Sequence, residues 1–179
     1  MTSQQFAIAA GGAVLLLLLI PGTGLAQQRL SLGEVKNLAD TVNREYFPNV
    51  DPVMATTIAK IESNFRPGAT REEPGDRQST GLMQTLHGTA LDMASRGHNV
   101  FPLERIERLK VPITSMYYGQ AYLSFLSRYK GQPRSEEWIV KSYNGGPGAD
   151  NAAVNRYYER YLKAKQDIER RLNNAADST

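Results

Sequence analysis

The stretch Ala59-Lys60-Ile61-Glu62-Ser63-Asn64-Phe65-Arg66-Pro67 places one carboxyl group, that of Glu62, at the end of a predicted apolar helix. Ile58, Ile61 and Phe65 lie around it at helical spacing. A carboxyl group beside apolar side chains loses hydration in its charged form, so we expect its pKa to rise and the group to hold a proton near neutrality. A general acid for glycosidic bond cleavage requires this property.

A second stretch, Ser79-Thr80-Gly81-Leu82-Met83-Gln84, is predicted to start the next helix and to form one wall of a cleft. Glycine at position 81 lets the backbone approach a ligand closely. Met83 offers an adaptable apolar surface for a sugar ring, although such a Leu-Met pair is more often part of a core. Gln84 carries both a donor and an acceptor for an acetamido or hydroxyl group.

A third stretch, Ser142-Tyr143-Asn144-Gly145-Gly146-Pro147-Gly148, follows a helix capped by Ser135. Its glycines and proline cannot continue a helix, so a sharp turn is predicted directly after Tyr143 and Asn144. The phenol of Tyr143 is predicted to hydrogen-bond to Glu62 or to a substrate, and a buried core phenol is the alternative interpretation.

In this order, the three stretches resemble the lytic transglycosylase family of SLT-type, goose-lysozyme-like proteins. That family has a helix ending in Glu-Ser, then Gly-Leu-Met-Gln, then Ala-Tyr-Asn-Ala-Gly-Pro-Gly, and the resemblance covers roughly Asp51 to Tyr161. It implies a mainly α, lysozyme-like fold that cleaves the β-1,4 bond between N-acetylmuramic acid and N-acetylglucosamine in peptidoglycan. Glu62 would act as both acid and base and leave 1,6-anhydro ends, without cofactor or metal. The substrate-binding residues it implies are Ser79, Gly81, Met83, Gln84, Tyr143 and Asn144.

The chain departs from the family pattern at two positions. The family usually has a serine nine residues after the glutamate, where this chain has Arg71, and often an asparagine where this chain has Ser115. The sequence leaves open whether Ser79, Thr70 or no residue replaces the missing serine.

Three acidic residues of the charged loop between Thr70 and Thr80 are the nearby candidates for a second carboxylate: Glu72, Glu73 and Asp76. We interpret them as solubilising residues of that loop, in which a small hairpin is also predicted. The alternative function is a hydrolytic muramidase of the same fold, in which Glu73 or Asp76 holds the attacking water. A non-catalytic wall-binding protein is a further alternative.

The composition excludes several classes of site. The 179 residues contain no cysteine, which excludes disulfides, thiolate metal sites and a cysteine nucleophile, and the two histidines disfavour a histidine metal site. The net charge of +3 favours an anionic partner such as a cell wall or a membrane surface. No nucleic-acid-binding motif is recognisable.

The first residues are predicted to direct export. No charged side chain occurs from Thr2 to Gln28, Val14 to Ile20 is continuously apolar, and small residues precede a potential cleavage point after Ala26. Residues 1–26 are therefore predicted to be a signal peptide or an uncleaved membrane anchor, and the domain to work in the periplasm or cell envelope. The host is left open, as is a secretion or phage assembly as a partner.

The remaining chain is divided into an N-terminal helical segment (27–50), a lysozyme-like domain (51–172) and a flexible tail (173–179). Ser31-Leu32-Gly33-Glu34 is a capping-box pattern that predicts the first helix. Asp51-Pro52, a cap residue followed by proline, predicts the start of the second. A short helix is predicted to begin at Phe101-Pro102, and the last helix is predicted over Asn155 to Leu172.

Overall fold

The computed structural model describes residues 28–75 and 77–176, and over these ranges the chain is mainly helical, as predicted. The α-helices and strands are, in chain order, α1 (Leu32–Tyr46), α2 (Pro52–Ser63), β1 (Thr70–Glu73), β2 (Arg77–Thr80), β3 (Thr85–Leu86), α3 (His87–Ser95), α4 (Pro112–Ser127), α5 (Glu136–Gly145) and α6 (Ala152–Ala176). Two short 3₁₀ helices, Ile106–Lys110 and Tyr129–Gly131, flank α4.

The predicted leader, residues 1–26, lies outside the described residues, and so do Asp76 and residues 177–179. Within 28–75 and 77–176, none of the helices combines the length and the apolar character that a bilayer crossing needs. Helix α6 continues to Ala176, so residues 173–176 are helical although a flexible tail was predicted to begin at 173.

The first two helices begin where the sequence predicts. Ser31 and Glu34 form a reciprocal capping box, in which the Glu34 amide donates to Ser31 and the Ser31 amide donates to Glu34 Oε2 at 2.7 Å. Asp51 caps α2 by accepting from the Val53 amide at 2.8 Å, with Pro52 at the first helical position.

Helix α2 is largely buried and packs against α1, α4 and α6. Its buried face includes Met54, Ala55, Ile58 and Ala59. Each large apolar side chain that is fully removed from water contributes about 1.5–3 kcal/mol. This packing fixes α2 firmly, and therefore the position of Glu62 near its end.

The end of α2 is sharply bent. Asn64 and Phe65 both take left-handed backbone conformations, with φ of 52° and 65°. Such conformations cost an ordinary residue roughly 1–2 kcal/mol, and here the burial of the Phe65 ring offsets that cost. The bend directs the chain back through Pro67, which is followed by strand β1.

The strands form one antiparallel sheet in the order β1-β2-β3. The predicted hairpin between Thr70 and Thr80 is confirmed, with Arg71 paired to Ser79 and Glu73 to Arg77. The predicted helix starting at Gly81 was wrong, because Gly81–Gln84 is a turn that leads into β3 and α3 begins only at His87. Gln84 itself has a φ of 47°, which is incompatible with a right-handed helix.

The segment between α3 and α4 also differs from the prediction. No helix begins at Phe101, and the chain forms a 3₁₀ helix only over Ile106–Lys110. The carbonyl of Leu109 in this segment lies so close to Gly81 that a Cβ there would be 1.9 Å from the oxygen. Glycine is therefore required at position 81 because the Leu109 carbonyl occupies the space that a side chain would need.

Candidate active site

The carboxyl group of Glu62 is enclosed by residues from α6 and β1. Its side chain is 5% exposed, and the Tyr157 phenol donates a 2.8 Å hydrogen bond to its Oε1. Arg71 Nη1 lies 3.7 Å from Oε2, which is too far for a hydrogen bond, so Arg71 acts on Glu62 through its charge. Oε2 is consequently the oxygen that remains available to carry a proton.

The environment raises the pKa of Glu62 above its ordinary value. Burial is the largest cause, since it removes water from the charged form, and the negative charge of Glu73 acts in the same direction. The hydrogen bond from Tyr157 and the charges of Arg71 and Arg160 lower the pKa, but they do not outweigh burial. The direction of this shift agrees with the one expected from the apolar sequence neighbours of Glu62.

The hydrogen bond predicted between Tyr143 and Glu62 is absent from the described contacts. Tyr143 donates instead to the Met83 carbonyl at 2.8 Å and lies 3.5 Å from Thr85 Oγ1. Burial raises the pKa of Tyr143, and the charge of Glu62 adds to this effect, so the two groups are electrostatic neighbours. The phenol that does contact the carboxyl group is that of Tyr157.

Arg71, which stands where the family has serine, connects Glu62 to a second carboxylate. Its Nε donates to Glu73 Oε1 at 2.7 Å. Ser79 Oγ lies 3.1 Å from the same Glu73 oxygen and 3.0 Å from Gln84 Oε1. Partial burial acts to raise the pKa of Glu73, but the bonds from Arg71 and Ser79 outweigh it and hold that pKa below its usual range. Glu73 is therefore an ionised side chain that the bonds from Arg71 and Ser79 fix at the site, and it is not merely a solubilising residue.

The turn Gly81–Gln84 faces inward. The Gln84 amide nitrogen donates to the carbonyls of Ala69 and Gly81, both at 2.9 Å. The Met83 side chain is fully buried and packs where Gly119 has no side chain. The structure thus places Met83 in the core and not at the surface of a cleft, and it uses the polar groups of Gln84 and Ser79 internally. The contacts predicted between these residues and a substrate stay predictions.

Asn144 has a different setting from the other predicted binding residues because it is exposed. It lines a cavity of about 460 Å³ together with Tyr157, Arg156 and Arg160. Glu62 is not among the lining residues, but Tyr157, which bonds to it, forms part of the wall of this cavity. The two arginines give it donors for anionic or polar groups.

A larger groove of about 870 Å³ lies between the hairpin, α3 and α4. The residues lining it include Gln78, Thr89, Asp92, Tyr122, Phe125 and Tyr129. The rings of Tyr122 and Phe125 are stacked with centroids 6.2 Å apart, and Tyr122 lies 5.5 Å from the Tyr143 ring. The groove therefore combines aromatic surface with polar groups, which is a usual composition for a ligand site. Glu62 and Tyr143 do not line it, and Tyr122 connects it to the Tyr143 ring.

The sequence did not identify Tyr157 or Arg71 as site residues. Helical spacing shows only that Tyr157 and Tyr161 lie on the same face of α6, and both are indeed buried. Arg71 was noted as a departure from the family pattern, but no sequence signal shows that its side chain turns toward Glu62. Both contacts depend on which elements pack together.

Comparison with known proteins gives a family match. The family profile described as Transglycosylase SLT domain matches residues 42–166, which is most of the chain. The resemblance found in the sequence over Asp51 to Tyr161 is confirmed by this match. No curated protein sequence matches the chain.

Two solved structures of a 70 kDa soluble lytic transglycosylase share the fold. The Slt70 crystal structure from Escherichia coli aligns with a TM-score of 0.51 and 23% identity over 70% of this chain. A complex of the 70 kDa soluble lytic transglycosylase with bulgecin A aligns with a TM-score of 0.52 and 23% identity over 76% of this chain. This chain spans about a fifth of those proteins, namely 19% and 22% of their length. At this level of identity, the likeness establishes the lysozyme-like fold.

Proposed function

The chain belongs to the family of transglycosylase SLT domains, and on that premise we propose that it is a peptidoglycan lytic transglycosylase. Its substrate is the glycan strand, and the bond it cleaves is the β-1,4 bond between N-acetylmuramic acid and N-acetylglucosamine. Peptidoglycan lies in the cell envelope, so the domain must act there, in agreement with the export predicted for residues 1–26.

One observation carries the proposal: a single glutamate with a raised pKa is buried at the end of α2 and is bonded to a phenol. Tyr157 occupies Oε1 and orients the group, so the proton of the acid form resides on Oε2. Oε2 then delivers this proton to the glycosidic oxygen as the bond to the anomeric carbon breaks. Positive charge develops on the muramic acid ring in an oxocarbenium-like transition state.

The same carboxyl group then acts as the base. Having lost its proton, Glu62 is a desolvated carboxylate, and it removes the proton from the 6-hydroxyl of the muramic acid ring. The hydroxyl oxygen bonds to the anomeric carbon and closes a 1,6-anhydro ring, so no water enters the product. Glu62 ends the cycle protonated, as it began, which accounts for a site that works with one acid–base group.

The groove and the cavity provide surface for the glycan strand. Tyr122, Phe125 and Tyr129 supply apolar faces on which sugar rings can stack, and Gln78, Thr89 and Asp92 supply polar partners for hydroxyl groups. We propose that Asn144 binds the substrate from the cavity beside Tyr157. We propose that Ser79, Gly81, Met83 and Gln84 support the site mainly by fixing the shape of its wall.

Hydrolysis is the second candidate, and the position of Glu73 supports it. Its side chain is 24% exposed, its pKa is held low, and its charge acts on Glu62. An ionised carboxylate in this position could hold a water molecule for attack on the sugar, as in an inverting glycosidase. The ion pair with Arg71 and the contact with Ser79 oppose this role, because both occupy Oε1 and leave only Oε2 for a water molecule.

The test is to identify the products released from purified peptidoglycan sacculi. We expect mass spectrometry to show 1,6-anhydro muropeptides with the wild type, whereas hydrolysis would add one water to each product. Glu62→Gln keeps the shape of the side chain but removes the acid, so it should release no products above background. Glu104→Gln removes an equal charge from a surface pair with Arg108 and serves as the matched control. Undiminished release by Glu62→Gln would refute the assignment, and binding without products would favour a non-catalytic wall protein.

A further inference from the structure

Strand β1 presents two charged side chains toward Glu62. Alternate residues of a strand face the same side, so Arg71 and Glu73 share one face and Glu72 points to the other. The contacts agree with this pattern, because Arg71 bonds to Glu73 at 2.7 Å, whereas Glu72 accepts from Gln78 at 2.8 Å. Glu62, Arg71 and Glu73 therefore form a row in which a guanidinium lies between two carboxyl groups.

The presence of Arg71 conflicts with the role of Glu62 as a proton donor. A guanidinium in direct contact with a carboxyl group favours the ionised form and would remove the proton that the reaction needs. Here the guanidinium stops 3.7 Å from Oε2, and its Nε is bonded to Glu73 instead. The Arg71 side chain is 54% exposed, so packing alone does not hold it in this position.

The restraint on Arg71 comes from the second carboxylate. Glu73 accepts from Arg71 through Oε1 and is itself held by Ser79, which lies opposite Arg71 in the hairpin register. We propose that Glu73 is a positioning residue that keeps the Arg71 guanidinium beyond hydrogen-bond distance of Glu62, so that Glu62 retains the proton it must deliver. This inference rests on the proposed function, because it presupposes that Glu62 is the general acid.

The other groups that face Glu62 do not replace Glu73 in this role. Helix α6 contributes the Tyr157 hydrogen bond and the charge of Arg160, and both lower the pKa of Glu62. Helix α5 contributes Tyr143, a neutral phenol whose own pKa is raised by burial. In the described part of the chain, α1 and α4 also pack against α2 but are not among the sources of charge that act on this carboxyl group.

The first test is the pH dependence of kcat/KM for Glu73→Gln on solubilised glycan strands. Loss of Glu73 frees Arg71 to approach Glu62 and also removes a negative charge, and both changes favour ionised Glu62. We expect kcat/KM to fall roughly tenfold near pH 7 but to come within about twofold of wild type near pH 5, because a lower pH favours the protonated form of Glu62. Equal loss at both pH values would overturn the proposal, since a structural defect or a missing water-binding base is not restored by acid.

A second variant separates the action through Arg71 from the direct charge of Glu73. Arg71→Gln should move the alkaline limb of the profile to higher pH, opposite to Glu73→Gln. In the double variant, removal of Glu73 should have a smaller effect than in the wild-type background, because there is no guanidinium left to release. An equal effect of Glu73→Gln in both backgrounds would show that Arg71 plays no part.

A measurement without substrate distinguishes this inference from the proposed function. Carbon-13 NMR of the side-chain carboxyl group follows the titration of Glu62 in the intact chain. We expect its midpoint to move down in Glu73→Gln and up in Arg71→Gln, with Glu104→Gln unchanged as the charge control. Absence of products from wild-type protein would refute the proposed function, whereas unmoved titration midpoints would refute the positioning role alone.

Discussion

Tyr157 donates a 2.8 Å hydrogen bond to Oε1 of Glu62, joining two residues that are 95 positions apart in the chain. Burial and the charge of Glu62 raise the pKa of Tyr157 well above its ordinary value, so its phenol stays a donor over the whole working range of pH. The bond fixes which oxygen of Glu62 is left to exchange a proton. It also connects α2 to α6 at the site.

Tyr157→Phe should reduce catalysis more than stability. Loss of one buried hydrogen bond costs about 1 kcal/mol of unfolding free energy. The freed carboxyl group no longer has a fixed orientation, so we expect kcat to fall roughly tenfold with little change in KM. Since this bond lowers the pKa of Glu62, the alkaline limb of the rate profile should also move to higher pH. Steady-state kinetics across the pH range measure both effects.

Tyr158→Phe is the matched control, because it removes the neighbouring hydroxyl from the same helix. The Tyr158 ring stacks on Tyr161, with centroids 5.9 Å apart, and takes no part in the bond to Glu62. A similar fall in kcat for both variants would show that the effect comes from the helix and not from the hydrogen bond.

Glu62→Gln should stabilise the protein at neutral pH. The pKa of Glu62 is raised from 4.5 in the folded chain, so the folded state binds this proton more tightly than the unfolded state does. Stability therefore falls as the pH rises from 4.5 through the folded pKa, and the loss is complete above it. We expect the variant to match the wild type near pH 4 and to exceed it increasingly toward pH 7 in urea unfolding. A variant that is less stable than wild type at pH 7 would contradict the raised pKa.

Gly81→Ala should be far more damaging than Gly75→Ala. Both glycines have left-handed φ values, 85° and 76°, so both substitutions carry a conformational cost of about 1–2 kcal/mol. At Gly81 the new Cβ would also lie 1.9 Å from the Leu109 carbonyl oxygen, whereas at Gly75 it meets no atom within 4 Å. We expect the loss in unfolding free energy to reach about 3 kcal/mol or more for Gly81→Ala. Equal losses of unfolding free energy in the two variants would mean that the contact with the Leu109 carbonyl does not destabilise Gly81→Ala.

Gln84→Ala should lower the stability of the protein more than its affinity for the substrate. The side chain bonds to Ala69, Gly81 and Ser79, and only 8% of the residue is exposed. We expect a loss of about 2 kcal/mol in unfolding free energy, because several buried hydrogen bonds disappear together. Gln78→Ala, whose side chain bonds to Glu72 at the surface, should cost less than about 0.5 kcal/mol. A stable Gln84→Ala variant with a raised KM would instead support the substrate contact predicted from the sequence.

The sequence predicted much of the fold because local signals there agree with the final packing. The capping box at Ser31, the Asp51-Pro52 helix start and the charged hairpin between Thr70 and Thr80 all formed as expected. The turn at Gly81–Gln84 was not predicted, because contacts with residues distant in the sequence determine its conformation. The Leu109 carbonyl fills the space beside Gly81, and Ser115 Oγ accepts from the Met83 amide at 3.1 Å.

The sequence by itself determined the helical class, the family and the one carboxyl group that lies among apolar neighbours at a helix end. These features follow from residue type and short-range spacing, which do not depend on distant contacts. Only the tertiary structure decided which phenol bonds to Glu62 and which charged groups surround it. Tyr157 and Arg71 reach it from α6 and β1, and long-range packing brings those elements to α2 at a distance that no local pattern encodes.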